Sequence, residues 1–289
     1  MSTDDNKKNA QGYGTTGHQW DGIEEWNNPL PKWWVWIFYI TIIWGIGYSI
    51  AYPAWPGIKS ATAGVLGFST RANVQADIDA AAAKLAPINA KLEAAELTAI
   101  PGDAELSGYA ASSGAAVFKT WCAQCHGSGA AGAVGYPNLL DNDWLWGGDI
   151  ENIYLTIKHG IRNTEDDNAR YSQMPAFGDD YLEDDQIDAV VNYVMSLSGD
   201  PQDASLVAAG SEVFVEECAS CHMEGGIGDR EQGAPNLSDA IWLYGGDYDS
   251  ILYTVSYSRY GVMPSWGNRL KESQVRAVSA YVHQLGGGE

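Results

Sequence analysis

The chain has few cationic side chains for its length. Its 289 residues include 16 Lys and Arg against 37 Asp and Glu, which gives a formal charge of −21 at pH 7. Such an acidic chain repels the phosphate backbone, which argues against nucleic acid and favours a basic partner. Hydrophobic residues make up 45% of the sequence, enough to build cores, so a largely disordered chain is excluded.

Charge is absent from one long stretch near the N-terminus. No charged side chain occurs in the 26 residues between Lys32 and Lys59. Residues 33–50 are apolar enough to cross a hydrocarbon core of about 30 Å, so we predict a membrane anchor over 33–56 that Pro53 helps to end. Tryptophan and tyrosine at its two ends resemble the aromatic belts of membrane helices.

A cleaved signal peptide is the alternative for this segment. Small residues at Ala61-Thr62-Ala63 resemble a cleavage site, but a 32-residue acidic segment precedes the apolar run where a short basic region is expected. The anchor is therefore the favoured interpretation, and residues 1–32 form a separate N-terminal segment.

An alanine-rich stretch follows the anchor. Apolar residues recur at helical spacing on both sides of Pro87, so residues 71–100 are predicted to form two short amphipathic helices. They fall within a predicted helical spacer, residues 57–104, between the membrane and the globular part.

The four cysteines all belong to two copies of one motif, Cys-x-x-Cys-His. A zinc site would pool its ligands in one fold, and a thioredoxin-like pair needs no adjacent histidine, whereas this motif recurs after 96 residues. Cys-x-x-Cys-His is the attachment signature of haem c: both thiols add to the porphyrin vinyl groups, and the histidine ligates the iron. The sequence therefore predicts two covalently bound haem c groups, at Cys122, Cys125 and His126 and at Cys218, Cys221 and His222.

The sequence around each motif also repeats. Gly114-x-x-x-Phe118 corresponds to Gly210-x-x-x-Phe214, and Met174-Pro175 corresponds to Met263-Pro264. The closing helices, predicted over Gln186–Leu197 and Gln274–Leu285, align as well. We therefore expect two tandem domains, 105–199 and 204–289.

Each predicted domain resembles the cytochrome c family, an all-α fold around one haem. In that family a glycine on the first helix lets the last helix cross closely, which implies pairs of Gly114 with Tyr193 and Gly210 with Tyr281. The carbonyl of a loop proline orients the axial histidine, and the matching prolines here are Pro137 and Pro235.

The sixth iron ligand is predicted to be a methionine in each domain. Met174 and Met263 each precede a proline in a loop before the last helix, where the cytochrome c family places its distal methionine. His159 and His283 are rivals, although neither has a counterpart in the other repeat. Ligation by His and Met raises the reduction potential and leaves no open position, which suits electron transfer.

Two pairings of these ligands remain open from the sequence. Pairing within each domain, His126 with Met174 and His222 with Met263, is the simpler. Domains joined by a short linker can also exchange their distal loops, which pairs His126 with Met263 and His222 with Met174.

The segment from His18 to Trp34, with its Asn27-Asn28-Pro29-Leu30-Pro31 run, resembles the start of the CcoP (FixP) family, the dihaem subunits of cbb3-type cytochrome c oxidases. Haem c is attached outside the bacterial cytoplasmic membrane. The resemblance therefore implies a single-pass protein of the inner membrane, with residues 1–32 cytoplasmic and 57–289 periplasmic.

The resemblance further implies a role and partners. Electrons enter from a soluble or membrane cytochrome c donor or the bc1 complex, pass both haems, and continue through a monohaem subunit to the haem–copper catalytic subunit. We expect no catalytic residue in this chain. The alternatives are a dihaem carrier for another periplasmic enzyme, a dihaem peroxidase, and a haem-based sensor.

The acidic residues are concentrated in the haem domains. Net charge is −3 over residues 1–104, −11 over 105–200 and −7 over 201–289. The acidic runs at 165–167, 179–180 and 183–185 fall in or beside the loop that bears Met174. We expect them to attract a basic cytochrome, the alternative being a solvated surface without a partner.

Overall fold

The computed structural model describes residues 8–9 and 11–289. The chain divides into two compact units, one ending at Ala83 and the other spanning Lys84–Glu289.

The first unit opens with a β-hairpin. Strand β1, Thr15–Trp20, pairs antiparallel with β2, Ile23–Trp26, and Trp20 lies opposite Ile23. Asp21 and Gly22 between them have φ of 50° and 85°, as a tight two-residue hairpin turn requires. This hairpin is not among the predicted elements, although Asp-Gly is a known signal for such turns.

Helix α1, Lys32–Ala51, forms from the uncharged stretch. Its 20 residues span about 30 Å at 1.5 Å per residue, and none of them is buried within the protein. It is long and apolar enough to cross a membrane. The helix ends at Tyr52, whose backbone is extended, as expected for a residue that precedes a proline.

Helix α2, Thr70–Ala94, runs without interruption through Pro87. The predicted break at this proline is therefore wrong. Proline fixes φ near the helical value and removes only one backbone donor, and the 25-residue helix continues through it. A short 3₁₀ helix, Leu97–Gly102, follows.

The remaining helices of the second unit surround the two cysteine motifs. In both repeats a helix passes through a single wide turn, Phe118–Cys122 or Phe214–Cys218, directly before the motif. Equivalent positions of the two repeats, which share only the Phe and the Cys, thus form the same irregular turn. The helices are α3 (Ala104–Val117), α4 (Ala123–His126), α5 (Ile150–His159), α6 (Asp184–Ser198), α7 (Val207–Val213), α8 (Ala219–His222), α9 (Tyr248–Tyr257) and α10 (Glu272–His283).

The closing helices are exchanged between the repeats. Gly114 on α3 lies against the Ala277 carbonyl and the Tyr281 side chain, so an added Cβ would overlap α10. Gly210 on α7 lies in the same way against α6, at the Ala189 carbonyl and Tyr193.

The pairs implied by the family resemblance, Gly114 with Tyr193 and Gly210 with Tyr281, are therefore wrong. The reason is the short connection between α6 and α7, which interposes only residues 199–206. Helices joined by so few residues tend to pack as antiparallel neighbours. Helix α6 thus packs on α7, the first helix of the second repeat. Helix α10 packs on α3, where α6 would lie if each repeat folded by itself.

Two lobes result from this exchange. The second lobe is the continuous segment 172–259. The first lobe comprises 84–171 and 260–289. The core of the first lobe joins residues from both ends of the unit, among them Val117, Phe118, Ile153, Ile157, Val275, Val278 and Val282. The core of the second lobe contains Ile187, Val190, Val191, Val194, Phe214 and Ile251.

The end of the spacer belongs to the first lobe. Leu92 and Ile100 are fully buried beside Ala277 and Ala280 of α10. The Arg276 guanidinium donates to the carbonyls of Leu92 and Ala95, at 3.2 and 2.6 Å. Each fully buried aliphatic side chain contributes about 1.5–3 kcal/mol, so this part of the spacer stabilises the lobe.

Candidate haem sites

Each motif histidine is oriented by a proline carbonyl. His126 Nδ1 donates to Pro137 O at 3.0 Å, and His222 Nδ1 donates to Pro235 O at 3.1 Å. A carbonyl oxygen only accepts, so the proton lies on Nδ1 and the lone pair on Nε2 is left for a metal. Both predicted contacts are confirmed.

Burial sets the protonation of these groups. It lowers the pKa of His126 and His222, against the opposing effect of the proline carbonyls, so both rings are neutral and suited to ligate iron. Burial also raises the pKa of Cys122 and Cys218 to about 11. Such thiols stay protonated at neutral pH, which disfavours a reactive redox pair.

Other metal sites find little support in the part of the chain that the structure describes. No group of three or more His, Cys, Asp or Glu side chains is placed there to hold an ion. The cysteine motifs therefore stand as the candidate cofactor sites.

A cavity of about 440 Å³ lies between the two lobes and is lined by residues of both, among them Tyr136 and Pro137 of the first lobe; its volume is within the range of cofactor pockets, about 300–1,000 Å³. Cys218, Cys221 and His222 border it from one side, and Met174 of the first repeat borders the same cavity. Its walls are largely aliphatic and aromatic, which suits a porphyrin face. They include Val190, Val194, Phe214, Leu237 and Ile251.

A serine hydroxyl holds the Met174 backbone. Ser258 lies just after α9, adopts a left-handed conformation with φ 55°, and donates its hydroxyl hydrogen to the Met174 carbonyl. Residue 258 is buried. The distal loop of the first repeat is thus fastened to the second lobe.

In the first lobe Met263 lies against the core that includes Cys122. Its backbone pairs with Ile161: Ile161 N donates to Met263 O at 2.9 Å, and Met263 N donates to Ile161 O at 3.0 Å. Asn163 Nδ2 donates to the same Met263 carbonyl at 3.1 Å. A loop of the first repeat therefore positions the methionine of the second.

The two rival histidines are engaged elsewhere. His159 Nδ1 lies 2.8 Å from Asp166 Oδ2, and His283 Nε2 lies 2.8 Å from the Glu289 carbonyl. The Asn168 backbone N–H, followed by His159, lowers the pKa of Asp166 to about 2, and buried Ser265 also donates to this carboxylate. Asp166 therefore fastens the loop after Met263, and it is not part of a free acidic surface.

Two buried donors in the first lobe fit an anionic group. Trp146 Nε1 and Arg170 Nε are buried and have no hydrogen-bond acceptor within the described chain. The Arg170 guanidinium carbon lies 5.2 Å from the Trp146 ring centroid, so the two side chains are neighbours. Haem carries two propionate carboxylates, and these orphaned donors, with the Cys, His and Met side chains, match its chemistry.

Several residues that shape the sites were missed from the sequence. Asn163 and Arg170 lie in a loop that runs 14 residues from Gly160 to Met174, whereas Met263 follows the matching Ser258 by only five. This difference in length is the one sequence signal that could have singled out the longer loop.

Comparison with known proteins covers most of the chain. Residues 12–59 match the family model described as the N-terminal domain of cytochrome oxidase-cbb3, FixP. Residues 111–198 match cytochrome c, and residues 205–282 match the cbb3-type cytochrome C oxidase subunit III. The whole chain has relatives as well: it is 61% identical to the cbb3-type cytochrome c oxidase subunit CcoP of Cereibacter sphaeroides over 276 residues, 95% of each chain.

The chain belongs to the CcoP/FixP family.

Other family members are similar over nearly their full length. The CcoP subunit of Rhodobacter capsulatus is 55% identical, with 98% of each chain covered. The FixP subunit of Sinorhizobium medicae is 50% identical, covering 97% of this chain and 96% of that one. The predictions of two cytochrome c domains and of two covalently bound haem c groups are thereby confirmed, and α1 is consistent with membrane anchoring.

Proposed function

We propose that this CcoP/FixP chain carries electrons within a cbb3-type oxidase. They enter from a soluble or membrane cytochrome c donor or the bc1 complex, and they leave through a monohaem cytochrome c subunit to the haem–copper catalytic subunit. The observation that carries this proposal is that each motif shares its surroundings with a methionine of the other repeat: Met174 borders the same cavity as His222, and Met263 packs against the same buried cluster as Cys122. Haem iron supplies reversible one-electron chemistry when bound.

The chain's own side chains hold the cofactor in this proposal. Cys122 and Cys125 fix one haem, and His126 and Met263 ligate its iron. In the second lobe Cys218 and Cys221 fix the other haem, and His222 and Met174 are the ligands. The exchanged pairing is supported by the cavity that Met174 and His222 both border and by the buried cluster against which Met263 and Cys122 both pack.

Double axial ligation favours electron transfer over catalysis. A dihaem peroxidase needs one iron with an open position, and both distal loops here are fastened by hydrogen bonds to the Met backbones. The predicted topology is retained: α1 crosses the inner membrane, residues 1–32 are cytoplasmic, and the two lobes are periplasmic, where haem c is attached.

Purification from detergent-solubilised membranes tests this function. We expect the chain to co-purify with a haem–copper oxidase, and a pyridine haemochrome assay of the separated chain to give two haems that acid–acetone does not extract. Co-purification with a different periplasmic redox enzyme would support the alternative carrier function. A count near one haem per chain would contradict the site assignment.

A further inference from the structure

Arg162 contacts the loops that bear both methionines. Its Nε donates to Gly261 O at 2.8 Å, and its Nη1 donates to Ser172 O at 2.8 Å. Gly261 precedes Met263 by two residues, and Ser172 precedes Met174 by two. One planar guanidinium thus donates hydrogen bonds to both lobes, in each case to the carbonyl two residues before the methionine.

The backbone of Arg162 is held in an unusual conformation. Its φ is 51°, in the left-handed region that residues other than glycine rarely adopt, and its N–H donates to Arg170 O at 2.8 Å. Its guanidinium also lies over the Tyr260 ring, 5.8 Å from the centroid. A conformation of this kind persists where the surrounding contacts determine it, which gives the side chain a fixed direction.

Arg162 pairs with no carboxylate among the residues that the structure describes. None of the ion pairs formed by the described residues includes it, and the charged or titratable groups that act on its pKa are Tyr244, Tyr260 and Tyr171, after burial, which lowers it. The side chain is half-buried and lines the cavity that holds His222 and Met174. A guanidinium stays protonated in proteins, so a positive charge lies between the two methionine loops.

We propose that Arg162 is a positioning residue shared by both haem sites. It holds the two methionine loops at their iron atoms, and its charge raises both midpoint potentials. Reduction of each haem adds one electron and no proton, and a nearby cation stabilises the more negative reduced form. The proposal rests on the exchanged His–Met ligation described above.

The test is Arg162→Gln in the full-length chain, with redox titration of both haems and measurement of their Met–iron absorption bands. Both midpoint potentials should fall, because the charge is removed from both sites at once. Arg259→Gln is the matched control. Arg259 lines the same cavity, but its bonds to Ser250 and Thr254 stay within the second lobe, so only one potential should fall.

Arg162→Lys separates charge from geometry. It keeps the cation but replaces the two-pronged guanidinium with a single ammonium, so at least one Met–iron band should weaken while the potentials fall less. This variant also keeps the proposal testable if Arg162→Gln does not assemble with two haems.

The proposal is overturned if Arg162→Gln retains two haems and moves only one potential or neither. It is equally overturned if Arg162→Lys leaves both bands and both potentials unchanged. Absence of Met–iron bands in the unmodified chain has a different meaning, since it contradicts the axial ligation itself and not the role of Arg162.

Discussion

The two lobes use the same repeat sequence but different routes of the chain. The second lobe is one continuous segment in which Met174 and α6 come before the Cys218 motif. The first lobe is divided, and its last helix comes from the far end of the chain. The sequence repeat and the packing unit differ here, because the connection between α6 and α7 is too short to let α6 leave its neighbour α7.

The lobes also differ in what fastens them together. The first repeat has the longer distal loop, and that loop supplies Arg162, Asn163 and Asp166, all of which contact the segment around Met263. From the second repeat, Ser258 holds the Met174 backbone. Each distal methionine is thus held by residues of the repeat that does not contain it.

The largest effect is expected when the exchanged ligation is tested in chains that keep only one haem. With Cys218→Ala and Cys221→Ala, the remaining haem is bound in the first lobe. Met263→His should then lower its potential by more than about 59 mV, a factor of ten in the one-electron equilibrium, because imidazole favours ferric iron. Met174→His should leave it unchanged.

The reciprocal chain, with Cys122→Ala and Cys125→Ala, is the control for this experiment. In that chain Met174→His should lower the potential of the remaining haem, and Met263→His should leave it unchanged. Responses in the opposite sense in both chains would establish pairing within each repeat and refute the exchange.

A smaller effect is expected from the close helix contacts. Gly210→Ala should destabilise the second lobe by about 1–3 kcal/mol, because the added methyl overlaps the Ala189 carbonyl. Gly114→Ala should do the same to the first lobe through Ala277. Thermal unfolding, followed at the absorption of each haem, measures which lobe loses stability.

Gly108→Ala is the matched control for these variants. It lies on α3 with open space around its Cα, so the substitution should stabilise the helix by about 0.5–1 kcal/mol. Loss of first-lobe stability in Gly210→Ala would contradict the observed packing of α7 on α6.

The smallest effect concerns the acidic residues at the start of α6. Glu183, Asp184 and Asp185 are exposed, and α6 belongs to the second lobe, beside the Met174 loop. Replacing them by Gln, Asn and Asn should slow reduction by a basic cytochrome and flatten its salt dependence, since salt screens attraction over about 8–10 Å. Stopped-flow kinetics at several ionic strengths measures both.

Glu151→Gln provides the comparison for this variant, since Glu151 is exposed on the first lobe. It should leave the salt dependence nearly intact. If the unmodified chain has a flat salt profile, the acidic segment has no part in donor binding.

The sequence predicted local chemistry better than helix pairing. The Cys-x-x-Cys-His motifs, the proline carbonyls at Pro137 and Pro235 and the helical closing segments depend on short stretches, which carry their own signals. The sequence indicates Gly114 and Gly210 as points of close helix approach. It does not indicate which of the two equivalent helices, α6 or α10, packs on each glycine. Two similar repeats offer the same surface, so pattern alone does not decide between them.

Other differences have separate physical causes. Pro87 was expected to end a helix, yet one missing donor is tolerated in an otherwise regular helix. The hairpin at residues 15–26 lacks a clear alternation of polar and apolar residues, and only its Asp21-Gly22 turn indicates it. The roles of Asp166 and Arg162 come from contacts with residues about 100 positions away, which no local pattern contains.

The divided first lobe has a consequence for synthesis. A chain made from its N-terminus completes the segment 172–259 while residues 260–289 are still missing, so the second lobe can close before the first. The Cys122 motif is made first, yet its lobe closes last. A premature stop codon near the end of the gene would therefore damage the haem site encoded earliest and leave the residues of the later one intact.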